Sequence, residues 1–184
     1  MTKVIAGMTA SVDGFVADPH GDISRLYPDL AALRDTAYMQ DMIAETGAVL
    51  MGRRTFAMGD PDLYVGHYEF QVPIFVVTHR PPLVAPKQDD HLTFTFVTEG
   101  VEAAVARAQA AARDRAVQVV GGVSVMQQLL QLGLVDEFHL DVMPVFLGAG
   151  LRLSESVGLE RIALDKIDVR EIGPRTSLRF RIRK

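Results

Sequence analysis

The chain has 184 residues, of which 48% are hydrophobic and 23% are charged, and its formal net charge is −4 at pH 7. This composition is typical of one globular domain with a sizeable core, and the acidic balance argues against nucleic acid as a partner. Because the chain has no cysteine, disulfides, thiolate nucleophiles and cysteine-ligated zinc are excluded. Charged Asp13 interrupts the N-terminal segment and no apolar run reaches the roughly 18 residues of a membrane span. We therefore expect a cytoplasmic protein that does not bind the membrane.

The first half of the chain carries four apolar runs and one segment with helical spacing. KVIAGMTA (3–10) and AVLMG (48–52) are predicted as buried strands, and a helix is predicted within 29–46. The β-branched IFVVT (74–78) and the alternating LTFTFV (92–97) predict two further strands.

The second half continues this alternation and then loses its helices. The predicted elements are an alanine-rich helix at 100–116, a strand at 117–120, a helix at 123–133, and strand segments at 137–146, 161–171 and 178–183. Strands that alternate with helices predict a mostly parallel sheet, and the strand-only tail predicts antiparallel strands at one edge. The sequence thus predicts an α/β fold with a mixed sheet and flanking helices, in a single domain spanning 1–184.

The C-terminal strand carries a basic cluster. Leu178, Phe180 and Ile182 alternate with charged residues, so one face is predicted to be buried. The opposite face is predicted to be solvated, and it carries the arginines Arg175, Arg179, Arg181 and Arg183.

Three turns that follow predicted strands carry residues suited to a charged ligand. In the first, Gly52 ends a strand, and Arg53, Arg54, Thr55 and Phe56 follow. If a helix starts here, its free N–H groups, a hydroxyl and a guanidinium suit a phosphate. The alternative is an exposed arginine pair at a helix start.

The second turn places Thr78, His79 and Arg80 directly after a strand. Arginine distinguishes a 2′-phosphate from a bare ribose through charge-assisted hydrogen bonds, so this turn could hold such a group. The alternative is a polar loop ahead of two prolines.

The third turn is Gly121–Gly122, between a predicted strand and a predicted helix. Glycine lets a ligand approach the backbone closely, and a helix N-terminus favours a diphosphate. The alternative is a tight turn between strand and helix.

Other candidate sites receive less support from the sequence. The histidines show no metal-ligand spacing, so no metal site is predicted. Asp141 lies within a strand pattern and is interpreted as structural.

Six segments in order along the chain resemble the dihydrofolate reductase-like superfamily. They are MTASVDGFVA (8–17), VLMGRRTF (49–56), IFVVTHRP (74–81), VVGGVSVMQQLL (119–130), GLVDEFHLDVMPVFLGAG (133–150) and the terminal LRFRIR strand. The branch they resemble is the reductase domain of the bacterial riboflavin-biosynthesis deaminase/reductase. The resemblance implies a three-layer dihydrofolate reductase-like fold, NADPH as cofactor and hydride transfer.

The resemblance also implies roles for individual residues. Gly52, Arg53, Arg54, Thr55 and Phe56 would face the cofactor phosphates, and Thr78, His79 and Arg80 the adenosine 2′-phosphate. Gly121 and Gly122, often joined by a cis peptide in this family, would lie beneath the pyrophosphate, and Ser124, Val125 and Met126 would begin the following helix. Thr9, Ala10, Val16 and Ala17 would line the nicotinamide, with Asp13 and Gly14 in a flexible loop beside it.

True folate reductases carry an acidic residue on the first helix, where it binds the pterin. In this chain that position falls near Thr36, which is not acidic. Asp35 and Asp41 are the remaining acid candidates, and the chain also lacks the usual tryptophan. We therefore predict an NADPH-dependent reductase of a small heterocyclic or carbonyl substrate, with Tyr64, His67 and Tyr68 as substrate contacts. The alternative is an inactive nucleotide-binding module that kept the fold. A homodimer is expected from the apolar strand at 137–146 and from the habit of the family.

Overall fold

The computed structural model describes residues 2–155 and 158–184, which form a mixed eight-stranded sheet, a small two-stranded sheet and several helices. The strands are β1 (Val4–Ser11), β2 (Phe15–Ala17), β3 (Thr46–Gly52), β4 (Ile74–Val77), β5 (Phe94–Val97), β6 (Ala116–Val119), β7 (Glu137–Met143), β8 (Leu151–Arg152), β9 (Leu164–Ile172) and β10 (Arg175–Ile182). The helices are α1 (Leu30–Arg34), α2 (Ala37–Glu45), α3 (Arg53–Phe56), α4 (Tyr64–His67), α5 (Val101–Ala112) and α6 (Val123–Gln131).

The large sheet has the order β5-β4-β3-β6-β1-β7-β10-β9. Neighbours from β5 to β7 pair in parallel, whereas β10 is antiparallel to both β7 and β9. The second sheet pairs β2 with β8. The predicted class is confirmed: the sheet is mixed and mostly parallel, and its antiparallel strands lie at the C-terminal edge.

One face of the sheet packs against α5 and α6. The small alanine side chains of α5 allow this helix to lie close to the sheet, and Ala104 and Ala108 are fully buried against β3 and β4. Gly47 makes this possible, because a Cβ there would lie 2.5 Å from the Ala112 carbonyl oxygen. The alanine-rich segment therefore serves both helix propensity and close packing.

The opposite face is covered by α1 and α2, which the sequence predicted as one helix. Thr36 separates them, because its hydroxyl donates to the Leu33 carbonyl at 2.7 Å and accepts from the Met39 N–H at 3.2 Å. The first interaction closes α1 and the second caps α2. The position at which the resemblance places the acid of true folate reductases is thus a helix cap here.

Two predictions about the C-terminal strands are wrong. The strand predicted at 137–146 ends at Met143, since Pro144 has no N–H for the ladder, and it lies inside the sheet between β1 and β10 rather than at its edge. Arg175 was predicted on a solvated face, yet it is 1% exposed. The face is covered because its carboxylate partner, Asp29, is brought over it from the start of α1.

Candidate functional site

The three predicted turns lie together at one end of the parallel strands. They follow β4, β3 and β6, which are adjacent parallel strands, so their carboxyl ends lie side by side. Gly52 pairs with Val77, which places the turn after β4 directly beside the turn after β3. Ligands of open α/β sheets bind beyond this end of the strands.

The first and third turns are in contact. The Gly52 N–H donates to the Gly121 carbonyl oxygen at 3.2 Å. A Cβ on Gly122 would lie 3.1 Å from the Gly52 N and Cα atoms, and a Cβ on Gly121 would lie 3.0 Å from the Thr55 Oγ1. Both glycines have positive φ, 142° and 84°, so the turn requires glycine on conformational grounds as well. The expected cis peptide between them is wrong, because the bond is trans.

Basic side chains surround these turns. Arg53, Arg54, His79 and Arg80 are all exposed, and in the described ranges no carboxylate forms an ion pair with the three arginines. The Thr78 hydroxyl donates to the Arg80 carbonyl at 2.8 Å and accepts from the Arg80 N–H at 3.1 Å. Thr78 therefore shapes the turn, and an anion at this place would be held by His79 and Arg80.

Several predicted cofactor contacts face the core instead. Val125 and Met126 on α6 are buried against the sheet, and the Met126 N–H already donates to the Gly122 carbonyl at 3.0 Å. Phe56 packs between the rings of Phe94 and Phe96. These side chains support the turns from below, whereas Ser124 is exposed at the start of α6. Val125, Met126 and Phe56 were predicted to bind the cofactor as parts of two helix starts, and with their side chains buried only their backbone could make such a contact.

The residues predicted for the nicotinamide, Thr9, Ala10, Val16 and Ala17, are buried on β1 and β2. The loop between these strands is held in place by Asp13. Its carboxylate accepts from the Ser11 hydroxyl at 2.6 Å, the Gly148 N–H at 2.7 Å and the Leu147 N–H at 3.1 Å. These bonds, led by that from Ser11, lower the pKa of Asp13 to about 2. The loop expected to be flexible is therefore fastened to residues 147–148.

A cavity of about 120 Å³ opens between the sheet and the helices α1 and α2. Its outer wall is apolar, formed by Leu33, Met39, Met42 and Phe70. Its floor on the sheet is polar and is contributed by four neighbouring strands. The floor residues are Thr9 on β1, Gln118 on β6, His139 and Asp141 on β7, and Arg175 on β10.

Arg175 and Asp141 are the charged pair of this floor. Arg175 donates through Nη1 to Asp141 at 3.0 Å and through Nε and Nη2 to Asp29 at 2.9 and 2.5 Å. The Tyr38 hydroxyl donates to the other oxygen of Asp141 at 3.1 Å. Burial, together with the Asp141 charge, raises the pKa of Tyr38 to about 12, so this phenol stays protonated as a donor.

Sequence reasoning missed this floor, although a signal was present. Asp141 lies opposite both Thr9 and Ser177 in the ladders, and His139 lies opposite Arg179. Polar residues thus occur with a period of two on β7 and β10, on the same face of the sheet. Asp141 was interpreted as structural, whereas it lines the cavity.

The predicted acids and substrate contacts lie elsewhere. Asp35 is exposed at the end of α1, and exposed Asp41 lies 3.6 Å from Arg170. Neither lines the cavity, and their role as catalytic acids stays a prediction. His67 is exposed as well. Tyr64 donates to the Phe56 carbonyl at 3.2 Å, and its ring packs on Tyr68 at 4.9 Å between ring centroids. Both tyrosines belong to an aromatic cluster beside the cavity rather than to its wall.

The described part of the chain offers neither a metal site nor a membrane-spanning helix. No group of three or more potential ligand side chains could hold a metal ion there. Nor does any helix in these ranges combine the length and apolar character needed to cross a bilayer.

Comparison with solved structures identifies the fold. A protein from Shewanella sp. PV-4 described as a riboflavin biosynthesis protein matches with a TM-score of 0.69, at 19% identity over 99% of both chains. A deaminase/reductase from Thermotoga maritima matches with a TM-score of 0.72, at 17% identity over 98% of this chain and 56% of its own. Dihydrofolate reductase from Enterococcus faecalis matches with a TM-score of 0.61, at 13% identity over 99% and 97%. The fold is therefore dihydrofolate reductase-like.

Comparison of sequences gives the family. The family model described as the RibD C-terminal domain matches residues 2–178, which is nearly the whole chain. The chain thus belongs to the RibD C-terminal domain family, as its ordered motifs indicated. The uncharacterized protein YwjB of Bacillus subtilis (strain 168) is 27% identical over 156 residues, or 82% of each chain.

Proposed function

We propose that this protein is an NADPH-dependent reductase that transfers hydride to a small heterocyclic substrate of the riboflavin-pathway type. The observation that carries the proposal is the contact between the turns after β3 and β6, through the Gly52–Gly121 hydrogen bond. The contact requires glycine, because a Cβ on Gly121 would lie 3.0 Å from the Thr55 Oγ1 and a Cβ on Gly122 would lie 3.1 Å from the Gly52 backbone. The backbone at the start of α6 therefore carries no side chain that would keep a ligand away. Family membership and the solved reductases of the same fold support the reductase class.

The residues at the carboxyl ends of β3, β4 and β6 have the chemistry that NADPH requires. The backbone of Gly121 and Gly122 would lie beneath the pyrophosphate, close to the N-terminus of α6, where no side chain caps the free N–H groups. Arg53 and Arg54 would neutralise the phosphates, and His79 and Arg80 would bind the adenosine 2′-phosphate. The Enterococcus dihydrofolate reductase of the same fold was solved as a complex with NADP(H).

Thr9, Ala10, Val16 and Ala17 would form the nicotinamide pocket. When bound, the nicotinamide supplies the hydride, and the protein orients it toward the neighbouring cavity. Thr9 belongs to both places, because it lies on β1 and also lines the cavity floor. The apolar wall of Leu33, Met39 and Phe70 would exclude water from the reacting centre.

We propose that Asp141 is the protein carboxylate that contacts the substrate. It is 8% exposed, lines the cavity and already accepts from Tyr38 and Arg175. The Tyr38 hydroxyl stays protonated and stabilises the negative charge of Asp141 by donating a hydrogen bond to it. The acid that true folate reductases carry on the first helix would thus be replaced by one on β7.

A riboflavin-type ring is the substrate class that the relatives favour. The Thermotoga protein is named as a 5-amino-6-(5-phosphoribosylamino)uracil reductase. We propose a pyrimidine of this kind for the cavity, in a cytoplasmic reaction that involves neither nucleic acid nor membrane.

A homodimer is also proposed, and the exposed side chains of Leu164, Ile167 and Val169 on edge strand β9 support it.

Arg80 gives a direct test of the cofactor assignment. Replacing it with alanine removes charge-assisted hydrogen bonds to the 2′-phosphate, each worth about 1.5–3 kcal/mol. Arg80→Ala should weaken NADPH binding by about tenfold or more and leave NADH binding unchanged. Calorimetric titration of both cofactors measures this difference.

The matched control is Arg115→Ala. Arg115 is exposed and precedes β6, so it lies at the opposite end of this strand from Gly121 and Gly122. This substitution should change neither affinity. Equal losses of NADPH and NADH in Arg80→Ala would remove the 2′-phosphate assignment. Tight NADPH binding without oxidation at 340 nm, across pyrimidine, pterin and quinone substrates, would favour the inactive nucleotide-binding module.

A further inference from the structure

Gln118 is a buried amide in the cavity floor. It lies on β6, it is 3% exposed and its side chain faces the cavity. Within residues 2–155 and 158–184, no hydrogen bond joins its amide to another side chain or to the backbone, and its amide atoms are accessible from the cavity, because Arg179 Nε is the only fully buried polar side-chain atom without a partner in these ranges. An amide in this position forms its hydrogen bonds with water or with a ligand in the cavity. A ligand that supplied both a donor and an acceptor would replace that water.

The neighbouring strand makes room for this amide. A Cβ at Gly7 would lie 2.8 Å from the Gln118 Nε2, so Gly7 allows the amide to extend over β1. Gly7 pairs with His139 in the ladder between β1 and β7, and Thr9 pairs with Asp141 one step further along the same face. The amide is therefore directed toward the part of the floor that holds His139 and Asp141.

The charges of the cavity wall limit what can bind beside the amide. Arg175 uses Nε and both terminal nitrogens on Asp29 and Asp141. Burial lowers the pKa of His139, so its imidazole is neutral at physiological pH. The described wall thus holds no uncommitted cation for a phosphate or a carboxylate. It does hold a carboxylate, Asp141, that can accept a hydrogen bond.

The outer wall sets the shape of the ligand. Leu33, Met39, Met42 and Phe70 face the polar floor across the cavity. A flat ring fits this arrangement, with its faces against apolar atoms and its polar edge toward the sheet.

We propose that Gln118 selects the substrate by binding the lactam edge, an adjacent N–H and C=O, of an uncharged planar heterocycle. The amide carbonyl accepts from the ring N–H, and the amide N–H donates to the ring carbonyl. Asp141 accepts from a further ring or exocyclic N–H. This inference rests on the proposed reductase function and adds the residue that reads the substrate. Any phosphate on the substrate lies outside this floor.

The test uses two probes of the same ring size. 5,6-Diaminouracil has the lactam edge, whereas 4,5,6-triaminopyrimidine has an amino group in place of the 4-carbonyl, hydrogen in place of the 2-carbonyl and no ring N–H. Their affinities are measured by calorimetry with NADP⁺ present, for the wild-type protein and for Gln118→Leu and Gln118→Glu. Gln40→Leu makes the same chemical change at an exposed glutamine on α2 and serves as control. NADPH affinity and melting temperature are measured for each protein.

The wild type should bind the diaminouracil about tenfold more tightly than the triaminopyrimidine, because the lactam pairs both atoms of the amide. Gln118→Leu should lose this preference while retaining NADPH affinity. Gln118→Glu keeps the shape of the side chain and, in its ionised form, only accepts hydrogen bonds, so its preference should shift toward the donor-rich triaminopyrimidine as pH rises. Gln40→Leu should behave as the wild type.

An unchanged preference in both Gln118 variants would overturn the assignment. So would wild-type protein that binds NADPH but neither probe, or both probes equally. Failure of the proposed function has a different signature, because the wild type would then not bind NADPH at all. Gln118-dependent binding of the uracil in such a protein would preserve the assignment of the amide and count against the reductase.

Discussion

Arg175 is the residue at which sequence and structure differ most. Alternation along the last strand placed it on a face with three other arginines, and such a face is usually solvated. The structure buries it between Asp29, from the start of α1, and Asp141, from β7. Neither partner is close in sequence, at separations of 146 and 34 positions. Local periodicity reports only which residues share a face and leaves open what covers that face.

The stability of the protein should depend on this arginine. Arg175→Met would leave two poorly solvated carboxylates without their cation and should lower the free energy of unfolding at pH 7 by about 3–5 kcal/mol. Urea denaturation of this variant measures the loss. Arg181→Met, on the same strand and face but exposed, should change stability by less than about 0.5 kcal/mol.

The same substitution has a pH signature. The hydrogen bonds from Arg175 lower the pKa of Asp29, so its contribution to stability is present above the unfolded pKa and is lost as pH falls through the folded value. The gap between wild type and Arg175→Met should therefore be widest near neutral pH and narrow below pH 4. A gap of constant size would show that the arginine acts through packing alone.

At the scale of elements, most strands and the two long helices were predictable, because their apolar periodicity is strong. Strands β2 and β8 were missed, since three and two residues are too few to show a period. Thr36 was read as a position within a helix, although its hydroxyl ends one helix and starts the next. The three strand-end turns were found because glycine and arginine at such places have a physical meaning in isolation.

The junction of β6 with α6 against the end of β3 should tolerate no side chain. Gly122→Ala places a Cβ 3.1 Å from the Gly52 backbone and requires alanine at a φ of 84°. Both effects are unfavourable, and together we expect a destabilisation of about 1–3 kcal/mol. NADPH affinity should fall as well, because the turn must shift. Thermal denaturation and cofactor titration report the two effects separately.

Gly59→Ala is the matched control for this junction. No atom lies within 4 Å of a Cβ at Gly59, and its φ is not positive. It should leave both stability and affinity at wild-type values. If Gly122→Ala changed neither stability nor NADPH affinity, the turn would be able to relax and its glycines would not be needed for the contact.

At the scale of the molecule, two sites share one sheet. The candidate cofactor site occupies the ends of β4, β3 and β6, and the candidate substrate cavity lies over β6, β1, β7 and β10. Strand β6 belongs to both, and β1 carries Thr9, which lines the cavity and belongs to the proposed nicotinamide pocket. A bound nicotinamide would therefore lie next to a bound heterocycle. The first site was predictable because its residues are close in sequence within each turn. The second was not, because it is assembled from strands that are distant along the chain.

The homodimer stays a prediction at this scale. The strand first considered for it, β7, lies between β1 and β10 and has no free edge. Edge strand β9 is the remaining apolar candidate at this side of the sheet.

The proposed cofactor can be checked on the wild-type protein by calorimetric titration with NADPH and with NADH. We expect one NADPH bound per chain, and an affinity for NADPH at least about tenfold above that for NADH, through charge-assisted bonds to the 2′-phosphate. Absence of NADPH binding, or equal affinity for the two cofactors, would contradict this proposal.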